Sequence, residues 1–83
     1  PVDVIVVFAL NFESGGLVDL LQERVTIRCH SHVEHRGQLS GRHVLIAESG
    51  VGQNAASAVT ADVVRLYQPN WVVSFYFPRI VLA

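Results

Sequence analysis

Apolar residues alternate along this chain between continuous runs and helically spaced positions. Residues 4–10 form an apolar run rich in β-branched side chains, which is typical of a strand buried on both faces of a parallel sheet. Residues 71–77 form a similar run. Between residues 55 and 68, apolar side chains recur every three or four positions and Pro69 follows, which predicts a one-faced helix that ends there, with the apolar positions Ala56, Val59, Val63 and Leu66.

The remaining segments complete an alternating order of strands and helices. Asn11 can cap a helix that runs to about Arg24, with Leu17, Leu20 and Leu21 on one side. Residues 25–32, 33–39 and 43–47 read as three further strands, with a turn at Ser40 and Gly41. The order β-α-β-β-β-α-β predicts a three-layer α/β fold, with a mostly parallel or mixed central sheet between flanking helices. In such sheets ligands bind where strands end, so the candidate segments are residues 10–13, residues 49–52 and the chain from Ser74 onward.

Composition narrows the class of protein. The chain has 83 residues, of which 51% are hydrophobic and 16% charged, so we expect apolar surface that further protein would cover. The net charge is −1 with no basic stripe, which argues against nucleic-acid binding. The apolar runs are shorter than the roughly 18 residues that span a bilayer, so no membrane association is expected. A single cysteine, Cys29, excludes an internal disulfide and favours a cytoplasmic setting.

Four ordered motifs carry a family resemblance. They are Ala9-Leu10-Asn11-Phe12-Glu13, Gly37-Gln38-Leu39-Ser40-Gly41, Ser49-Gly50-Val51-Gly52-Gln53-Asn54-Ala55-Ala56 and Pro69-Asn70-Trp71. Together they resemble the N-terminal part of methylthioadenosine/S-adenosylhomocysteine nucleosidases, a branch of the purine nucleoside phosphorylase superfamily. The resemblance covers residues 2–75, whereas residues 76–83 lack the family's glycine-rich segment. We therefore expect residues 1–83 to form a single partial domain whose end, residues 76–83, diverges from the family. This partial domain should be inactive alone. The resemblance also implies that the complete protein is a homodimer or larger homo-oligomer.

The resemblance and the residue types together give five candidate site residues for cleaving a purine nucleoside. Glu13 would hold the attacking water as the catalytic carboxylate; read without the family, it is a solvated glutamate in a first helical turn. Leu10 and Val51 would line the 5′-substituent, although strand-end core positions explain them equally well. Gly50 would allow tight backbone passage at a helix N-terminus, which could receive an anion, or else simply form a strand-to-helix turn. Phe77 is an aromatic side chain that could stack on the base.

The sequence leaves two reaction types open: hydrolysis, with water as the nucleophile, and phosphorolysis, with phosphate as the nucleophile. Residues 11–16 contain no arginine to hold phosphate, which favours hydrolysis to adenine and a thioribose. The alternative enzyme is a nucleoside phosphorylase that uses phosphate. The alternative class of protein is a non-catalytic α/β module that self-associates or binds a partner. His30, His32 and His35 lie near Cys29, but their spacing matches no metal signature and the family needs no metal. We therefore expect neither a metal nor another cofactor.

Overall fold

A six-stranded mixed sheet organises the chain. The computed structural model describes residues 1–9, 15–50, 52–76 and 79–82, with the backbone alone described at residues 15, 52, 53, 76 and 79–82. The elements in chain order are β1 (Val4–Phe8), α1 (Gly15–Val18), β2 (Gln22–Arg28), β3 (Val33–Leu39), β4 (Arg42–Glu48), α2 (Gly52–Tyr67), β5 (Trp71–Tyr76) and β6 (Arg79–Leu82). None of the helices among these residues has the length and apolar character needed to cross a bilayer.

Strand β1 lies at the centre of the sheet, whose order is β2-β3-β4-β1-β5-β6. It runs parallel to β4 and β5, while β2–β3, β3–β4 and β5–β6 are antiparallel pairs. The apolar run of β1 is explained by this position, because both faces of the central strand are covered. The α/β class with a mixed sheet is thus confirmed, and β6 adds a strand that the sequence pattern did not predict.

Each face of the sheet carries its own core. On one face α2 packs Ala56, Val59 and Val63 against Ile5 and Leu45. On the other face Val18 of α1 and the following Leu21 pack against alternate residues of the same strands, namely Val6, Phe8, Val44 and Ile46. This arrangement confirms three layers, and it places the carboxyl ends of β1, β4 and β5 at one edge between the two cores.

Three boundaries differ from the sequence prediction. The first helix has only four residues and β2 begins at Gln22, so the expected helix to Arg24 is wrong. The apolar face of α2 stops short of Leu66, which is 71% exposed, and Tyr67 packs against the core instead. Strand β2 ends at Arg28, so His30 and His32 lie in a turn rather than on one strand face.

Candidate functional site

The three parallel strands end side by side, as the sequence predicts for a ligand-binding edge. Phe8 is level with Glu48 of β4 on one side and with Phe75 of β5 on the other. Past the strand ends, the Ala9 N–H donates to the Phe75 carbonyl at 3.0 Å and the Ser49 N–H donates to the Phe8 carbonyl at 2.8 Å. The edge is therefore held by backbone hydrogen bonds, which fix where the following loops begin.

The glycine loop starts from a buried serine at this edge. The Ser49 hydroxyl is directed to the Phe8 carbonyl at 3.3 Å and to the Gly50 carbonyl at 3.2 Å. A Cβ built on Gly50 would meet the Ala55 Cβ at 3.6 Å, which is ordinary contact. The described surroundings of Gly50 therefore leave room for a methyl group. Helix α2 begins at Gly52, so its positive end lies at the same edge.

An aromatic pair and a charged pair occupy the α1 side of the edge. The rings of Phe8 and Phe75 stack with centroids 4.8 Å apart and planes 6° from parallel. Beside them, His35 Nε2 lies 2.9 Å from a Glu48 carboxylate oxygen, and His35 Nδ1 lies 2.9 Å from the Thr26 hydroxyl. Sequence reasoning missed this pair, because residues 35 and 48 meet only through the β3–β4 register.

Of the five predicted site residues, the structure describes Gly50. Glu13, Leu10, Val51 and Phe77 lie outside the described residues. The chain enters their segments from Ala9, Gly50 and Tyr76, which all lie at the carboxyl edge. Trp71, an aromatic residue of the fourth motif, is 67% exposed at the opposite end of β5 and is not part of the core.

A second polar cluster lies around the buried carboxylate of Glu34, on the α2 face of the sheet. One Glu34 oxygen accepts hydrogen bonds from the Tyr67 hydroxyl at 2.8 Å and from Arg36 at 3.2 Å. The other oxygen lies 2.8 Å from His32 Nε2. Arg36 also donates to the Tyr67 hydroxyl, and its guanidinium carbon lies 4.9 Å from the Tyr67 ring centroid. The Cys29 thiol completes the cluster, whose Cys29, His32 and Glu34 donor atoms lie within 4.8 Å of one another.

Burial and hydrogen bonding act in opposite directions on this cluster. Burial is the largest influence on the Glu34 carboxyl and opposes its ionisation, but hydrogen bonds from His32, Tyr67 and Arg36 outweigh it and hold its pKa below the ordinary value. Burial and then the Glu34 charge raise the pKa of the Cys29 thiol. Burial and the hydrogen bond to Glu34 likewise raise the pKa of Tyr67. The Glu34 carboxylate is thus the ionised centre around which the other groups are arranged.

An open cavity of about 330 Å³ lies elsewhere. Its lining includes Val2, Val25, Arg36 and Val44. Val44 is level with the first residue of β1 and with Gly37, so this cavity lies at the end of the sheet where β1 begins. It is separate from the carboxyl edge, and its described lining does not include Gly50.

Comparison with known proteins agrees with this geometry. No protein-family model matches the chain. The 5′-methylthioadenosine/S-adenosylhomocysteine nucleosidases of Colwellia psychrerythraea and Haemophilus influenzae are each 30% identical to it over 69 residues, which cover 83% of this chain and 28% and 30% of those enzymes. The solved nucleosidase of Neisseria meningitidis, in complex with methylthio-immucillin-A, superposes on 87% of the chain with a TM-score of 0.78 at 24% identity. The chain has the α/β fold of these nucleosidases.

The chain corresponds to only part of each of these proteins. The chain spans less than a third of the length of the curated relatives it matches, and 31% of the Neisseria meningitidis structure. The relatives and the solved structures together support the resemblance to the nucleoside phosphorylase superfamily.

Proposed function

We propose that this chain is the N-terminal part of a nucleosidase that hydrolyses the N-glycosidic bond of 5′-methylthioadenosine or S-adenosylhomocysteine, giving adenine and a thioribose. The observation that carries the proposal is that a match of 69 residues to two such nucleosidases is accompanied by the fold of a solved nucleosidase over 87% of the chain. The carboxyl edge supports it further, because three strand ends and the start of α2 converge there.

In this proposal Glu13 orients the attacking water. The chain reaches Glu13 within four residues of Ala9, which is hydrogen-bonded into the edge. A carboxylate at that point can accept a proton from water and stabilise a cationic sugar. Leu10 and Val51 line the 5′-substituent, Gly50 lets the ligand approach the backbone, and Phe77 stacks on the purine. The remaining purine-binding groups and the acid that protonates the leaving base come from the rest of a complete enzyme.

A non-catalytic module is the second candidate, favoured by one observation. Large apolar side chains are exposed on the described part of the chain: Leu20, Val25, Leu66 and Trp71 are each more than half exposed. Such surface suits self-association or contact with further protein. It fits equally the proposed partial domain, in which additional chain or another subunit covers it, so the test has to be chemical.

A chimera tests the nucleosidase proposal. The 69 matched residues of this chain replace their counterparts in the Haemophilus influenzae enzyme, and adenine release from methylthioadenosine is measured with and without phosphate. We expect release without phosphate, and a loss of about 100-fold or more in the Glu13→Gln variant, because an amide cannot take the proton. The matched control is Glu23→Gln, the same change at an exposed β2 residue, which should leave turnover unchanged.

Three results would contradict the proposal. If the chimera is folded by circular dichroism and releases no adenine, this segment does not support the chemistry. If Glu13→Gln turns over at the Glu23→Gln rate, Glu13 has no catalytic role. If release requires phosphate, the reaction is phosphorolysis and not hydrolysis. The isolated chain serves as a reference, and we expect it to release no adenine in either buffer.

A further inference from the structure

The turn between β2 and β3 brings three chemically different metal-binding groups together. Cys29, His32 and Glu34 each offer one donor atom, and these atoms all lie within 4.8 Å of one another. A thiolate, an imidazole and a carboxylate are the three side-chain ligands that zinc uses in proteins. We propose that Cys29, His32 and Glu34 bind a divalent transition-metal ion, with Zn²⁺ the best match, and that its fourth position is open to water or another ligand.

Local backbone structure explains why these residues converge. The Cys29 N–H donates to the His32 carbonyl at 2.8 Å, which closes a tight turn and places the first and fourth residues of a Cys-x-x-His segment side by side. The chain then enters β3, where side chains alternate between faces, so residues 32 and 34 point to the same side. Glu34 is level with Ala47, whose side is covered by α2. One ligand, Glu34, is therefore part of the sheet, and the hydrogen-bonded turn holds the other two beside it.

The two buried ligands are oriented by other side chains. The Glu34 oxygen that faces away from His32 is held by Tyr67 and Arg36, which leaves the remaining oxygen directed at the ligand cluster. The outer ring nitrogen of His32, Nδ1, lies 3.1 Å from the Ser31 hydroxyl, which fixes the ring with Nε2 facing inward. Metal-binding histidines and carboxylates are commonly supported by such second hydrogen bonds.

The spacing of the ligand atoms requires only a small adjustment. His32 Nε2 and the nearer Glu34 oxygen are 2.8 Å apart. Two ligand atoms at about 2.05 Å from a tetrahedral zinc are roughly 3.3 Å apart, so the pair must open by about 0.5 Å. Without metal, the imidazole Nε2–H donates to the carboxylate; with metal, Nε2 binds the ion, the proton of the neutral imidazole is carried on Nδ1 beside the Ser31 hydroxyl, and the thiol proton leaves to solvent. The two anionic ligands then balance the charge of the dication.

The rival interpretation is a buried ion pair between His32 and Glu34 with no ligand. Both side chains are more than nine-tenths buried, and such pairs occur without metals. The two interpretations differ over Cys29, because an ion pair does not need the thiol and a metal site does. The test should therefore detect sulfur bonded to metal.

Cobalt provides that signal. The chain is stripped with chelator, reduced, and titrated with Co²⁺ while its fold is followed by circular dichroism. We expect one equivalent to give a near-ultraviolet thiolate-to-cobalt band and intense visible bands of a tetrahedral ion, both bleached by Zn²⁺. Zinc should also raise the melting temperature, because it binds the folded site. A folded chain that gives no thiolate-to-cobalt band would overturn the proposal.

Variants locate the ion. Cys29→Ser should abolish the charge-transfer band, and His32→Gln should weaken cobalt binding at least tenfold. Tyr67→Phe should keep the band but lower affinity by about tenfold, because Tyr67 only orients Glu34. His30→Gln is the matched control, since His30 is an exposed neighbour in the same turn and should change nothing. Equal affinity in the wild type, Cys29→Ser and His32→Gln would place the cobalt elsewhere and refute the site.

Discussion

At the scale of single residues, Glu34 is the most unusual side chain in the described structure. It is 3% exposed, in a sheet whose buried residues are almost all aliphatic. An ionised carboxylate in such surroundings is costly unless hydrogen bonds replace its lost hydration. His32, Arg36 and Tyr67 supply those bonds from three parts of the chain. The charge therefore ties the β2–β3 turn, β3 and the end of α2 to one point.

This arrangement gives stability a specific acid dependence. Because the Glu34 pKa is lowered in the folded state, its contribution is complete above the ordinary glutamate pKa of about 4.3 and is lost as pH falls through the lower folded value. In chelator-treated chain, we expect Glu34→Gln to be less stable than wild type at neutral pH, and the gap to shrink below about pH 4.3.

Urea unfolding at a series of pH values measures this gap. Glu23→Gln is the control, because Glu23 is exposed on β2 and should give a stability difference close to zero throughout. A Glu34→Gln deficit that stayed constant down to acid pH would mean that the carboxylate charge contributes nothing to the fold.

At the scale of elements, the sequence predicted strands best where both faces are buried. The β-branched run of β1 is explained by a strand buried on both faces, and the strand was predicted at the correct place. Strand β2 was harder, because all seven of its residues are exposed and its apolar alternation is limited to Val25 and Ile27. The chain also leaves the first helix early: Glu23 adopts a φ of 53°, and Leu21 turns inward to pack against β1 and β4. Helical leucine spacing alone could not reveal that tertiary contact.

Gly37 shows how closely that turn packs on β3. A Cβ at residue 37 would lie 2.8 Å from the Gln22 carbonyl oxygen and 2.9 Å from the Leu21 Cβ, both closer than real contacts. We expect Gly37→Ala to lower the free energy of unfolding by about 1–3 kcal/mol through this overlap.

Gly16 offers the opposite case for the same substitution. A Cβ there meets nothing within 4 Å, and the residue is in α1. Gly16→Ala should therefore be neutral or stabilising by up to about 1 kcal/mol. Denaturant melts of the two variants check both values, and a Gly37→Ala chain as stable as Gly16→Ala would show that the packing between β3 and the Leu21 turn is loose.

At the scale of the whole molecule, the exposed apolar side chains decide how the chain behaves in solution. Trp71 is 67% exposed and Leu66 is 71% exposed, as expected from the high hydrophobic content. We expect the isolated chain to self-associate, so its sedimentation should shift from monomer to larger species as concentration rises. Trp71→Thr, which introduces a β-branched residue suited to a strand and removes the indole, should weaken that association.

Two outcomes would contradict the predicted self-association. A monomer whose sharp, reversible melt does not depend on concentration would show that the exposed apolar surface is tolerated in water. If Trp71→Thr associates as strongly as the wild type, the contact lies elsewhere, and Leu66→Gln is then the variant to compare.

The two candidate sites differ in how well the sequence predicts them. The carboxyl edge follows from strand order, because parallel strands end together, and the motif around Ser49 and Gly50 lies there. The Glu34 cluster could not be read in the same way. Its local half, Cys29 and His32, is visible as a spacing, but Tyr67 joins it from 33 residues away only because α2 folds across the sheet.

The central position of β1 has a consequence for how the protein is made. Its five residues leave the ribosome before the other strands of this sheet, yet one neighbour, β5, begins only at Trp71. At about 5–20 residues per second, the strand waits roughly 3–12 seconds for that partner. Meanwhile β2, β3 and β4 can pair as local hairpins, since their contacts lie close in the chain. Strands β2, β3 and β4 can therefore be paired with one another while the side of β1 that pairs with β5 is still unpaired. Chaperones that shield β1 until translation reaches β5 should raise the yield of folded protein.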